Sequence, residues 1–343
     1  MNEFAFNEIL HLNEAFLLGK MSPPSVRFRV LKELFNLKDT AKELSVAKQE
    51  IFSDQRIQET YKDQNSDGSW GKDPSVSRRI LSTIWAFKSL ADLGFDAANN
   101  SMVKGKNFLI KNSLFEGGVS INGKRDGVFS CYTGIVCDSL AKAGFLEEAQ
   151  ECVNWILNFQ ECRSAKKNFL TAETDAWADY LKVKYGGCMS NTTCMIGIIK
   201  TAGALLEYSK YNTNKNLLNK IFSFREYLLS RQLYKREDGS GVIPLGARKN
   251  ERAEKAGNWL KITYPVGYIC DLVEVYDFVN KSGNYDKRMD SARLFIKSQQ
   301  LQSGPWPLQK NDKFNFLYIP EKANAKSASY WATFRVLKSM KKD

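Results

Sequence analysis

The feature that most constrains this chain is a recurring junction. A helix-like stretch ends in Gln, a Gly-containing turn follows, and then often an aromatic residue. Gln64-Asn-Ser-Asp-Gly-Ser-Trp70, inside Tyr61–Gly71, is the clearest copy. Leu228–Gly241, with Gln232 and Asp238-Gly-Ser-Gly241, is the second, and Phe295–Trp306, ending in Ser-Gly-Pro-Trp306, is the third. Trp155-Ile-Leu-Asn-Phe-Gln160 opens a fourth copy without the Asp-Gly turn, and Phe108 to Gly117-Gly118 is a degenerate fifth. A chain of self-similar units buries its apolar faces by stacking one unit on the next, so the repeats predict a solenoid or a closed ring.

Each junction leads into a second helical pattern. Ser77–Leu93, Thr133–Ala143, Thr192–Tyr208, Val266–Val279 and Ser327–Met340 carry apolar and small residues at a 3.6-residue period. Their partners Met102–Lys111, Glu147–Phe159, Leu217–Arg231 and Arg288–Gln300 are more polar on one face, as an outer layer should be. No segment reads as a pair of strands. In the turns, Asp-Gly permits a positive-φ reversal. The Gln is expected to cap the preceding helix, and the Trp to stack over the next repeat. Ordinary helix–helix loops would give the same fold class.

Composition bounds the partners. The chain has 343 residues, 43% of them hydrophobic and 12% aromatic, enough for a large core rather than a disordered chain. A net charge of +12 favours anionic partners, or is simply a solvated basic surface. The basic residues are scattered, so no dedicated nucleic-acid arm is expected. The first residues, MNEFAFNEILHLNEAF, are acidic early and lack the basic start of a secretion signal. No apolar run reaches the ~18 residues of a membrane span, which leaves peripheral membrane contact open. Seven cysteines with no secretion signal point to reduced thiols and a cytoplasmic protein.

Gln64–Trp70 resembles the QW motif of squalene and hopene cyclases, a repeat that protein prenyltransferase β subunits carry more weakly. Pro24–Leu34, Ile80–Gly94, Cys131-Tyr-Thr-Gly134, Cys194–Lys200 and Trp331–Lys338 are similar to a bacterial and archaeal branch of that superfamily. The resemblance spans roughly residues 22 to 340 and implies an all-α fold, an α/α toroid whose inner helices line a central cavity. The expected organisation is an N-terminal helical extension over 1–22 and a toroid of about five to six helix hairpins over 23–343. Two departures stand out. There is no DxDD acid motif, and the single histidine, His11, lies ahead of the repeats, so the usual Asp/Cys/His zinc set is absent.

Three groups of side chains could carry chemistry. Cys131, Cys162, Cys188 and Cys194 sit around the starts of two inner helices and could hold zinc as four thiolates, although no CxxC pair is present. Alternatively Cys131 is a lone activated thiol, its pKa lowered by a helix N-terminus, or the cysteines pack as small hydrophobes, as Cys137, Cys152 and Cys270 most simply do. Asp175 and Asp179, in Glu173-Thr-Asp-Ala-Trp177-Ala-Asp-Tyr180, lie four apart and would share a helix face beside aromatics. A carboxyl in such a pocket suits a general acid, and Asp271 raises the same question. Trp85, Tyr132, Trp177, Tyr264, Tyr268 and Trp331 are expected to line an apolar substrate cavity, with plain core packing as the alternative. Asp238-Gly-Ser-Gly241 has no P-loop lysine and reads as a turn, and Arg248–Lys255 reads as a charged excursion that could close over the cavity.

The leading expectation is an enzyme of cyclase or transferase type acting on a small, largely apolar substrate, isoprenoid-like or diphosphate-bearing, with the anionic part matched by the net positive charge. The alternatives are a non-catalytic ligand-binding or scaffold toroid, and a zinc-thiolate alkyl transferase.

Overall fold

The computed structural model describes residues 3–160, 162, 194–236, 239, 241–243, 260–312 and 321–342. Their helices are α1 (Glu3–Leu18), α2 (Pro24–Arg29), which runs on into a π turn over Val30–Leu34, α3 (Lys42–Phe52), α4 (Gln55–Lys62), α5 (Val76–Asp92) and α6 (Asn100–Ser113). After these come α7 (Ser130–Lys142), α8 (Leu146–Phe159), α9 (Met195–Tyr208), α10 (Lys215–Ser230), α11 (Leu272–Lys281), α12 (Asp290–Ser298) and α13 (Tyr330–Met340). Local sequence sets many of the starts. Asn99 caps α6, Asn214 caps α10 and Ser329 caps α13, each by accepting a backbone N–H of the first turn. The fourth inner segment starts six residues later than its apolar pattern begins, at Leu272, because Asp271 caps it by accepting the Glu274 N–H.

The expected all-α α/α toroid is what these elements build. In chain order an outer helix is followed by an inner one: α1 and α2, α4 and α5, α6 and α7, α8 and α9, α10 and α11, α12 and α13. The inner helices touch in sequence, α5 on α7, α7 on α9, α9 on α11, α11 on α13 and α13 on α2. Arg29 of α2 donates to the Asp92 carbonyl at the end of α5 at 2.8 Å, which closes the circle. The stretch over 1–22, expected as an extension, carries α1, which packs on α13 with Phe16 stacked on Tyr330 at 4.3 Å. No described helix is long and apolar enough to cross a membrane.

The turns repeat at atomic detail. The Trp70 backbone N–H donates to the Thr83 hydroxyl of α5, Val119 N–H to Thr133 of α7, and Trp306 N–H to Thr333 of α13, each at 2.9 Å. The indoles of Trp70 and Trp306 are buried and donate back to their own outer helices, to Thr60 at 2.7 Å and Ile296 at 2.9 Å. The Trp70 ring also lies against Gly105 of the next outer helix, as expected of a residue that stacks on the following repeat. The glutamines differ from expectation. Gln64 and Gln300 donate to the Gly68 and Gly304 carbonyls of their own turns, and Gln64 also to Ser101 at the start of α6, so they brace the turn rather than cap the helix before it. Gly117 turns with φ +87°, and a Cβ there would stand 2.2 Å from the Glu151 carbonyl oxygen of α8. Gly134 lets α7 approach the α9 backbone, where a Cβ would sit 2.5 Å from the Lys200 carbonyl carbon.

The absence of strands expected from sequence is corrected in two places. β1 (Leu114–Phe115) pairs antiparallel with β2 (Gly118–Val119), and β3 (Pro307–Leu308) with β4 (Asn324–Ala328). Both lie in turns between an outer and an inner helix, where extended main chain must find partners for its own N–H and C=O groups.

Trp306→Ala should lower unfolding free energy by ~3–5 kcal/mol, as for a fully buried large aromatic. Thr333→Val, which removes the hydroxyl that accepts the Trp306 N–H and donates to the Trp306 carbonyl at 3.3 Å, should cost about 1–3 kcal/mol. Urea denaturation followed by circular dichroism checks both, and losses within noise would show that the junction is not a stability determinant.

Candidate functional site

Because every pair is traversed outer helix first, the inner helices run the same way round the ring. Their starts gather at one end and their last turns at the other. The two ends have opposite chemistry.

At the last turns lies a cavity of about 170 Å³ with a charged lining. Asp92 of α5 is paired with Lys88 of its own helix and with Lys142 of α7 at 3.0 Å, and Lys142 also meets Asp138 at 2.7 Å. Lys200 of α9 holds both oxygens of Glu274 on α11 at 2.8 Å. Arg335 of α13 grips Asp271 two-pronged at 2.7 and 2.8 Å. Glu33, in the π turn, takes Arg29 and also Lys338 of α13, the latter at 2.6 Å. These pairs tie neighbouring inner helices together, from the last turns of α5 and α7 to the first turn of α11. Burial opposes the charge on Asp92, yet Lys142 and Lys88 outweigh it and hold the carboxyl far below the usual range. Burial likewise opposes the charge on Glu33, which Arg29 and Lys338 keep ionised. Lys338 goes the other way: burial, with repulsion from Arg29 and Lys281, lowers its pKa despite Glu33.

At the helix starts lies an aromatic cluster. Tyr132 of α7 stacks on Tyr268 at 5.6 Å and meets Trp85 of α5 edge-on at 5.8 Å. Tyr264 stacks on Trp331 of α13 at 4.1 Å. The Trp331 side chain is fully buried, and its indole N–H has no hydrogen-bond acceptor. Tyr264 also lines the charged cavity, so the two regions meet at its ring. The Tyr132 phenol is pushed up by burial, by Cys131 and by Asp312. Asp312 is only 6% exposed, in the loop that follows β3. In the same loop Asn311 donates to the Tyr264 and Glu321 carbonyls at 2.8 and 2.9 Å. The Glu321 carboxylate accepts the Ser329 hydroxyl and the Tyr330 N–H, and burial raises its pKa.

Of the six residues expected to line a substrate cavity, the structure groups Trp85, Tyr132 and Tyr268 in one cluster and pairs Tyr264 with Trp331 in another, and of these five Tyr264 lines the charged cavity. Trp177, Asp175 and Asp179 lie outside the described residues, as do Cys188 and Arg248–Lys255. Asp271 is placed differently from a free acid. It is fully buried, and its oxygens accept from Glu274 N, Thr263 N and both arms of Arg335. With its lone pairs so committed it caps α11 and ties it to α13. Cys131 is corrected outright. Burial first, and then the neighbouring Cys194, push its thiol up to about 12, against the lowered value expected at a helix start, although hydrogen bonds from Tyr132 N–H and Tyr268 oppose the rise. Cys194 is buried and Cys162 half-buried, and among the described residues no three His, Cys, Asp or Glu side chains come close enough to hold a metal. Three of the four expected zinc ligands are thus described, and the fourth, Cys188, is not. Asp312 and Glu321 escaped sequence reasoning, because a polar loop such as Gln309-Lys-Asn-Asp-Lys313 carries no signal of burial.

No known family and no curated protein matches the chain by sequence. Among solved structures it is similar to a variant of a type II terpene cyclase from Scytonema in complex with the substrate geranylgeranyl dihydroxybenzoate. The identity is 13% and the TM-score 0.47, over 98% of this chain and 96% of that one. It is also similar to a protein from Actinoplanes at 11% identity and TM-score 0.45, over 98% of both chains. The description of the ring rests on its own contacts.

Asp92→Asn should destabilise the protein by about 2–4 kcal/mol at neutral pH, since it weakens two partly buried pairs at once. The wild-type carboxyl has its pKa depressed by folding, so its contribution is complete above the unfolded value of about 4 and fades as pH falls below it. The gap between wild type and variant, measured by urea titration, should shrink accordingly in acid. Cys131 should resist iodoacetamide at pH 8 in the native protein and be alkylated on unfolding, as read by peptide mass spectrometry; rapid native labelling would contradict its burial.

Proposed function

We propose that this chain is an enzyme acting on a small, largely apolar molecule held at the aromatic end of the ring, with Asp312 as its proton-transfer group. The observation that carries this reading is the meeting of Trp85, Tyr132 and Tyr268 in one aromatic cluster; the buried Asp312 is tied to it only through the push its charge gives the Tyr132 phenol. Aromatic faces favour an apolar body and stabilise positive charge that develops on it. A buried carboxyl in the same region, such as Asp312, is the group this reading assigns to give or take the proton. The Trp331 indole adds a buried donor without an acceptor, a state that costs about 1–3 kcal/mol and that a ligand oxygen would relieve. Substrates with an isoprenoid chain suit such a wall. A non-catalytic ligand-binding toroid is the alternative, and it would use the same wall without the proton step.

The test titrates purified protein with geranylgeraniol and with geranylgeranyl diphosphate, following tryptophan fluorescence, and analyses the mixtures by mass spectrometry. Tyr268→Ala should weaken binding by about ten-fold, the equivalent of one aromatic contact. Asp312→Asn should leave binding within about two-fold and lower turnover by ~10²–10⁴. Binding without turnover in the wild type would establish the non-catalytic alternative. Turnover unchanged in Asp312→Asn would remove Asp312 and direct attention to Asp175. Absence of binding by either probe would overturn the isoprenoid reading.

A further inference from the structure

We infer that Lys338 is a nucleophilic amine that captures a small 2-oxo acid, as an imine, in the charged cavity. Lys338 stands on α13 and lines that cavity of about 170 Å³. Lys210, whose side chain is 51% exposed, lines it too, so the cavity reaches solvent just past the end of α9.

The charges around the cavity single out this lysine. Eight cations line it. Six of them, from Lys88 to Arg335, are matched one for one by carboxylates, as Lys200 is by Glu274 at 2.8 Å and Lys281 by Asp277 at 2.6 Å. Among the described residues, the remaining two, Arg29 and Lys338, share a single carboxylate, Glu33. The shortage of one negative charge therefore falls beside Lys338. Glu33 and Arg29 act on its ammonium from the π turn and α2, Lys281 and Asp277 from α11, and Glu207 from α9. Burial opposes the charge on Lys142 and Lys200 as well, yet their carboxylates outweigh it and raise both. At Lys338, burial and repulsion by Arg29 and Lys281 prevail and lower the amine. A desolvated lysine beside other cations holds more free amine at neutral pH, the form that attacks a carbonyl.

Size and charge choose the carbonyl compound. A cavity of about 150 Å³ takes benzene, and pyruvate has as many non-hydrogen atoms. Its carboxylate brings the one negative charge that Arg29 and Lys338 lack, next to the carbonyl that the amine attacks. A neutral ketone would leave the shortage in place, and a sugar or a phosphorylated carbonyl compound would exceed the space. The step balances. The ammonium gives one proton to Glu33, 2.6 Å away, and the freed electron pair of the nitrogen forms the C–N bond. The carbonyl oxygen takes one proton from the nitrogen and the one held by Glu33, and leaves as water. The resulting iminium keeps a single positive charge, so its pairing with Glu33 survives.

The test incubates the purified protein with pyruvate, and separately with acetone, together with sodium cyanoborohydride, which reduces an imine to a stable amine. Peptide mass spectrometry locates the adduct. At neutral pH, pyruvate should label Lys338 at least about ten-fold faster than exposed lysines such as Lys104 and Lys297, the ratio that one unit of lowered pKa supplies. Acetone should label it more slowly. The ratio should fall as pH rises towards the ordinary lysine value of about 10.4, where exposed amines also lose their protons. Lys281→Gln removes a repelling cation and should reduce the ratio at neutral pH. Lys338→Arg, which keeps a charge beside Glu33 and whose fold circular dichroism verifies, should lose the adduct; the wild-type map stands without it. Labelling spread evenly over surface lysines, no adduct on Lys338, or a ratio unchanged in Lys281→Gln would overturn the inference. Acetone reacting as fast as pyruvate would overturn the 2-oxo acid as ligand. The readout is confined to the charged cavity, so this result and that of the proposed enzyme at the aromatic end stand or fall separately.

Discussion

The hydrogen bond between a turn N–H and an inner-helix threonine sets the geometry on which the ring depends. Thr83, Thr133 and Thr333 each take the backbone N–H of the turn that precedes their helix. A buried N–H left without an acceptor costs about 1–3 kcal/mol, so the bond fixes how far each turn sinks between its two helices. In the first and last of these repeats the indole of Trp70 or Trp306 then donates back to the outer helix. One side chain and one hydroxyl thus lock outer helix, turn and inner helix as a unit. Repeating a fixed unit turns the chain by a fixed angle each time, and the contact of α13 and α5 with α2 completes the circle.

Closing a ring of parallel inner helices creates an electrostatic problem at its far end, where the last carbonyls of every helix gather. Each terminus carries roughly half a negative charge. The chain answers with Lys142, Lys281 and Lys338 on the last turns, with Lys88 one turn earlier on α5, and then with carboxylates between them. Asp92 and Glu33 each take cations from two helices, so the pairs bridge elements rather than decorate one. This arrangement gives the positively charged lining a structural reason, and the overall +12 is no guide to a ligand there.

The ring was legible in the sequence because its determinants are local. Gln-Asp-Gly-Trp turns and 3.6-residue apolar stripes are short-range patterns, and the helices they predicted formed within a few residues of the expected limits. The strands at 114–119 and 307–328 were not legible, since two-residue ribbons leave no alternation to read. The candidate site was legible in part. Trp85, Tyr132, Tyr264, Tyr268 and Trp331 were marked as aromatics on or next to the apolar inner helices. Asp271 was marked for the same reason, yet its role depends on Arg335, 64 residues away, a pairing no local pattern reveals. Cys131 shows the same limit. A helix start lowers a thiol pKa in the open, and burial among Cys194, Tyr132 and Tyr268 reverses the sign.

The contrast between the two ends would make them unequal routes for the ligand of the proposed function. A molecule passing through the charged end would have to part pairs such as Lys142–Asp92 and Lys200–Glu274, in which the side chains are 4–28% exposed. Separating a buried pair costs about 3–5 kcal/mol because each charge is left without compensation. Two such pairs would raise the barrier by enough to slow passage by several powers of ten. At the helix starts, a ligand displaces aromatic contacts worth about 0.5–1.5 kcal/mol each and replaces them with its own. On the proposed reading, the ion pairs between neighbouring inner helices would therefore make that side a floor. On that reading the aromatic end would be the mouth, and Tyr264, which stacks on Trp331 and also lines the charged cavity, lies between the two regions.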